Sequence, residues 1–83
     1  MELKVGVVED FFTHIPAIAF KVENEIAVGD TLHVKGHTTD FIQQIESMQI
    51  EHKGVQKAVK GDSVGMKVNE RARKGDTIYK VIP

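Results

Sequence analysis

Four imidazoles, His14, His33, His37 and His52, are the first candidates for metal ligation or proton transfer. His33 and His37 stand four apart, the spacing that puts two ligands on one helix face. Gly36 lies between them, however, in a stretch of strand character, so they read as surface or turn imidazoles and no metal site is expected. Ser47, His52 and an aspartate could form a hydrolytic triad only with the serine on a strained turn beside an oxyanion hole. Ser47 falls where a β-bulge is expected, and no triad is anticipated. The absence of cysteine removes thiol nucleophiles, disulfides and thiolate metal sites.

A phosphate-binding loop requires Gly-x-x-x-x-Gly-Lys-Ser/Thr between a strand and a helix. The nearest run, Gly61-Asp62-Ser63-Val64-Gly65-Met66-Lys67, has the wrong spacing and opens a strand. No Gly-x-Gly-x-x-Gly occurs either, so the reading is of a protein without nucleotide cofactor or catalytic centre.

Two segments remain as binding candidates. Glu9-Asp10-Phe11-Phe12-Thr13 pairs two acids with two aromatics. Acids can hold an amine and an aromatic can cover a base or side chain. Alternatively, a phenylalanine caps the core while Glu9 and Asp10 make a turn. Arg71-Ala72-Arg73-Lys74 places three cations in four residues, which suits phosphate contact without base specificity, or else a solvated loop.

The elements that position these residues are strands. A chain of 83 residues, 41% hydrophobic and 28% charged, makes one globular domain with one modest core. Net charge is −1, yet residues 1–51 carry three lysines against nine acids while residues 52–83 carry eight cations against three. Interleaved strands are expected to mix the two halves into one solvated surface, although such asymmetry can also mark a docking face. The first residues carry no basic run followed by an apolar one, and no apolar run reaches the ~20 residues of a membrane span. A cytoplasmic location is the expectation.

One phrase recurs: Gly29-Asp30-Thr31-Leu32, Gly61-Asp62-Ser63-Val64 and Gly75-Asp76-Thr77-Ile78. Glycine accepts positive φ, aspartate bonds its own backbone, and the following residues favour extended chain, so each phrase delivers a turn into a strand. Between the turns the hydrophobic period is two. Leu3, Val5 and Val7 mark a first strand near residues 2–9, and Ile18, Phe20 and Val22 a second after Pro16. Leu32 and Val34 mark a third, ended by Gly36. Thr39 to His52 reads as one long strand whose phase slips near Ser47. Val64, Met66 and Val68 give the next, Ile78 to Val81 the last. The tract Val55–Lys60 is ambiguous, with a turn of helix possible. Six or so short strands imply an all-β barrel or sandwich.

From Ile45 onward the residues are more specific. Ile45-Glu46-Ser47-Met48-Gln49, His52, Ala58 and Gly61-Asp62-Ser63-Val64-Gly65-Met66-Lys67-Val68 resemble the second, β-barrel domain of translational GTPases. The likeness is greatest to the archaeal and eukaryotic elongation factors that carry aminoacyl-tRNA. Val28-Gly29-Asp30 and Gly75-Asp76 match the turns before that barrel's third and last strands. The resemblance implies a small six-stranded closed barrel of Greek-key type over residues 1–83. Within it, Gly61 and Gly65 would bracket a sharply bent strand start that another backbone approaches closely.

Glu9, Asp10 and Phe12 then stand where elongation factor Tu lines the pocket for the aminoacyl end of tRNA. Ser63 replaces an asparagine beside that pocket, and the loop from Phe12 to Val22 is shorter. The resulting expectation is a non-catalytic, translation-related module contacting RNA (a tRNA end or ribosomal RNA) or a translation protein. Its expected contacts are Glu9, Asp10, Phe12, Ser63, Arg71, Arg73 and Lys74, with no cofactor, metal or membrane partner. The alternative is an accessory protein-interaction barrel that works with a separately encoded enzyme and binds no RNA.

Overall fold

Alternating apolar and polar residues build ten strands and no helix in the computed structural model, which describes residues 1–83. They are β1 (Glu2–Phe12), β2 (Ala17–Lys21), β3 (Ile26–Ala27), β4 (Thr31–Lys35) and β5 (Asp40–Gln44), followed by β6 (Met48–Ile50), β7 (Lys53–Val55), β8 (Lys57–Ala58), β9 (Ser63–Lys67) and β10 (Thr77–Val81). Eight form one antiparallel sheet in the order β5-β4-β10-β1-β2-β9-β6-β7, and β3 pairs with β8 separately. No helix is long and apolar enough to cross a membrane.

The all-β expectation therefore stands in its coarse form, whereas the closed six-stranded barrel does not. The large sheet curls but leaves β5 and β7 as free edges. Two physical causes separate the expectation from the structure. The stretch from Thr39 to His52 is two strands, because Ile45 leaves the β4 ladder to bond the turn at Gly29 and Asp30. The chain then re-enters beside β9 as β6, so the phase slip marks a change of partner rather than a bulge. Residues 55–60, ambiguous in the sequence, hold the end of β7 and all of β8, with no helical turn.

β1 makes the curl. Its first half pairs with β10 and its second with β2, and the register slips twice, between Lys4 and Gly6 and between Val8 and Asp10. Each slip inserts one residue opposite none, which bends and twists the strand. Period two is consequently broken. Val5 and Val8 are buried, while Leu3 and Val7 are only half-buried. Gly6 lies between the slips, and a Cβ there would stand 2.5 Å from the Phe20 ring. The bend thus lets β1 lie directly over the largest core side chain.

The three Gly-Asp phrases are one device used three times. Gly29, Gly61 and Gly75 have φ of 99°, 98° and 95°, the value a type II-like turn needs at its third residue. In each turn the aspartate Oδ2 accepts the N–H of the first turn residue: Asp30 from Ala27 at 2.9 Å, Asp62 from Val59 at 2.9 Å, Asp76 from Arg73 at 2.7 Å. Each turn also exchanges two backbone hydrogen bonds with a buried aliphatic: Ile45, Val22 and Val8 respectively. The residue before each turn (Ile26, Ala58, Ala72) and the second residue after its aspartate (Leu32, Val64, Ile78) are buried too. Every turn therefore ties the start of a strand and a residue distant in sequence into a single core of 17 apolar side chains.

Candidate functional site

The outer face of the β2-β9-β6 portion carries an open groove of about 650 Å³. Its floor follows from the register. Ala19 stands opposite Gly65, Gly65 opposite Gln49, and Ala17 opposite Lys67. Cross-strand partners share a face, so Ala17, Ala19 and Gly65 together form a low floor, bordered on the same face by Gln49 beside Gly65 and Lys67 beside Ala17. Their neighbours Ile18, Phe20, Val64 and Met66 point the other way and fill the core.

Two hairpins make the walls. On one side, Phe12 stands opposite Ala17 at the end of β1 and is 49% exposed, and Ile15 in the following turn is 63% exposed. On the other side, β6 returns into β7 through Glu51 and His52, both at positive φ (51° and 65°). Two consecutive left-handed residues are the geometry of a type I′ hairpin, which matches strand twist. Both walls carry carboxylates. Glu9 sits at the second slip of β1, and bulges re-aim side chains in this way. Asp10 faces the floor residue Ala19, and Glu51 lines the opposite rim. Lys67 and the Ser47, Ser63 and His52 side chains complete the lining.

Of the residues singled out from the sequence, Glu9, Phe12 and Ser63 come together in this groove, and Asp10 shares its face. Arg71, Arg73 and Lys74 do not. They lie in the loop before β10, exposed around the buried Ala72, and Arg73 and Lys74 are the first two residues of the third Gly-Asp turn. Their local order is explained by that turn. Ser47 and Ser63 share the groove with His52. Sequence reading missed Ala17, Ala19 and Gln49. The available signal was the run of small residues at the outward positions of β2 and β9. The hairpin at Glu51 and His52 gave no signal, since neither residue type marks positive φ.

A second polar cluster lies across the other half of the sheet. His33 on β4 faces Glu2 through Nδ1 at 2.8 Å and Asp40 through Nε2 at 2.5 Å, with its side chain only 13% exposed. The Asp40 hydrogen bond, followed by the Glu2 bond, raises the His33 pKa, and both outweigh the opposing effect of burial. Because carboxylates occupy both ring nitrogens, the doubly protonated imidazolium is the form that satisfies them. The nitrogens point apart to separate carboxylates, an ion-pair clamp rather than a converging ligand set.

With the geometry in place, the chain can be set beside known proteins. It is 34% identical over 79 residues to an uncharacterized protease of Methanocaldococcus jannaschii, an alignment covering 94% of this chain and 19% of that protein. It is 31% identical over 81 residues to a collagenase of Porphyromonas gingivalis, covering 95% and 20% respectively. The chain thus spans about a fifth of the length of the curated relatives it matches. Its fold is that of the C-terminal domain of a Geobacillus thermoleovorans protein assigned to the U32 peptidases, with a TM-score of 0.88 at 20% identity over 94% of this chain and 91% of that one. No protein-family model matches the sequence.

These findings correct the likeness to the translational-GTPase barrel, and with it the translation-related, RNA-contacting reading. The relatives are named protease and collagenase, and the matching fold is that of the C-terminal domain of a protein assigned to the U32 peptidases. The physical reason for the misreading lies in what the motif encodes. Ala58-x-x-Gly61-Asp62-x-Val64 is a buried residue, a type II-like turn, an aspartate that bonds it and a core strand. Such a phrase records how a small β-domain turns its corners, not what it binds.

Proposed function

We propose that this chain is a non-catalytic accessory domain that works with the catalytic portion of a U32-type peptidase. The observation that carries this reading is the alignment itself: nearly all of the chain matches, while four-fifths of each relative lies outside the match. The likeness in fold to the C-terminal domain of a protein assigned to the U32 peptidases supports it. The open groove, with small residues on its floor and apolar residues on one wall, suits contact with polypeptide better than bond cleavage.

The test compares gelatin hydrolysis by the U32-type catalytic portion from the same cells with and without this chain, joined or added in trans. The chain alone is expected to release no peptides, and its presence to raise kcat/KM of the catalytic portion. Hydrolysis by the chain alone, abolished by Ser47→Ala or Ser63→Ala, would overturn the non-catalytic reading. An unchanged kcat/KM would overturn the accessory role.

A further inference from the structure

Gly65 is a glycine that the fold does not require. It lies in mid-strand on β9, where glycine has poor strand propensity and leaves no side chain to pack. Its φ is not positive, unlike those of Gly29, Gly61 and Gly75. A Cβ built on it would meet nothing nearer than the Ile18 carbonyl oxygen at 4.0 Å. Gly6 differs, since a Cβ there collides with the Phe20 ring. Ala17 and Ala19 beside Gly65 are likewise small at outward strand positions, where β-branched residues would be favoured. What the three small residues share is the floor of one groove, and each larger side chain would fill it.

We propose that the groove over Ala17, Ala19 and Gly65 binds an extended segment of the polypeptide on which the peptidase works, seating a bulky apolar side chain flanked by a lysine or arginine. This deepens the accessory-domain reading and rests on it for the source of the segment. The apolar part follows from the low floor and from the exposed Phe12 and Ile15 on the groove wall, which would cover a side chain lying on that floor. The cationic part follows from charge complementarity. Glu9 and Asp10 stand on the β1 wall and Glu51 on the β6–β7 wall, so flanking side chains that spread sideways meet carboxylates on both sides. Of the lysines on the same face, Lys67 stands opposite Ala17 at one end of the floor, and Lys21, opposite Ser63, lies outside the groove lining, so the carboxylates remain the charges on the two walls. Gln49 and Ser63 supply neutral hydrogen-bonding groups for the segment's backbone.

The probe is a fluorescein-labelled octapeptide with one phenylalanine followed by one lysine in a glycine–alanine background. A second probe carries glutamate in place of the lysine. Anisotropy is expected to show saturable binding of the lysine peptide, at least about tenfold tighter than the glutamate peptide and weakened by salt. Gly65→Leu, which fills the floor, is expected to weaken binding about tenfold or more at an unchanged circular dichroism spectrum. If Gly65→Leu does not fold, Ala17→Leu serves the same purpose from the neighbouring strand. Equal binding by the filled variant would overturn the proposal, as would no binding at about 1 mM peptide. So would self-association of the wild type that Gly65→Leu abolishes, for then a second copy occupies the groove. A chain that stimulates the catalytic portion yet binds neither peptide would sink this assignment and leave the accessory role intact.

Discussion

The side chain of Gln43 bonds the backbone of Asn69 as a peptide group would. Its Oε1 accepts the Asn69 N–H at 2.7 Å, and its Nε2 donates to the Lys67 carbonyl at 3.1 Å. Gln43 is 7% exposed on β5, one free edge of the curled sheet, whereas residues 67–69 lie at the end of β9. One amide therefore spans a seam that a strand ladder would close in a complete barrel. Gln43→Ala is expected to cost about 1–3 kcal/mol, because it leaves a backbone donor and acceptor in a partly buried seam without partners. Gln43→Glu keeps the acceptor but sets a buried carboxylate oxygen against the Lys67 carbonyl, so it should cost at least as much as alanine near neutral pH. Urea unfolding measures both; an alanine variant as stable as wild type would mean water satisfies the seam equally well.

The His33 clamp makes stability depend on pH. Folding raises the His33 pKa through its hydrogen bonds to Asp40 and Glu2, so the folded chain holds this proton more tightly than the unfolded one. The stabilisation is complete below the ordinary imidazole value of about 6.5 and is lost as pH climbs through the higher folded value. Wild type is therefore expected to unfold at lower urea at about pH 8.5 than at about pH 6. His33→Gln, which cannot titrate, should show a smaller difference between the two. If the variant keeps the full wild-type difference, another group is responsible.

The core of the fold was legible because its signal is local. Ile18, Phe20 and Val22, and likewise Val64, Met66 and Val68, are buried where their spacing puts them. β1 was misread because Val5 and Glu9 sit at register slips, and a slip leaves no mark in composition. Closure was misjudged for a related reason. Whether β5 meets β9 through a ladder or through the Gln43 side chain depends on distances between strands far apart in sequence. The groove was half legible. Glu9, Phe12 and Ser63 each carry a chemical signal of their own, but the floor that joins them consists of small residues that carry none.

The three Gly-Asp turns should differ in how much their aspartates matter. All three accept the same turn N–H, but only Asp76 is buried, at 5% exposure. Asp76 also packs so close to Gly36 that a Cβ at Gly36 would overlap its carboxylate. Asp76→Ala should cost about 1–3 kcal/mol, by loss of the bond and of buried contact. The more solvated Asp62→Ala and Asp30→Ala should cost about 0.5–1.5 kcal/mol each. Thermal unfolding of the three single variants gives the order. Equal losses would show that the turn bond alone decides the effect, and that burial at Asp76 adds nothing.

Two mid-strand glycines should respond in opposite ways to the same added methyl group. At Gly6 the new Cβ would stand 2.5 Å from the Phe20 ring and 3.0 Å from the Lys21 carbonyl oxygen. Relief would require moving the largest fully buried side chain or the β1 backbone, so Gly6→Ala should destabilise by about 1–3 kcal/mol. The motif containing Gly65 suggested a similar close approach, with a larger residue there expected to be costly. The structure reverses that expectation, because the nearest heavy atom to a Cβ on Gly65 is 4.0 Å away and the side chain would point out of the core. Gly65→Ala should therefore be neutral or stabilising by up to about 1 kcal/mol, as the unfolded chain loses freedom and the strand gains propensity. Chemical denaturation of both variants decides the matter. A loss of stability at Gly65 comparable to that at Gly6 would mean the groove floor is held tight by the fold, and its smallness would then need no ligand to explain it.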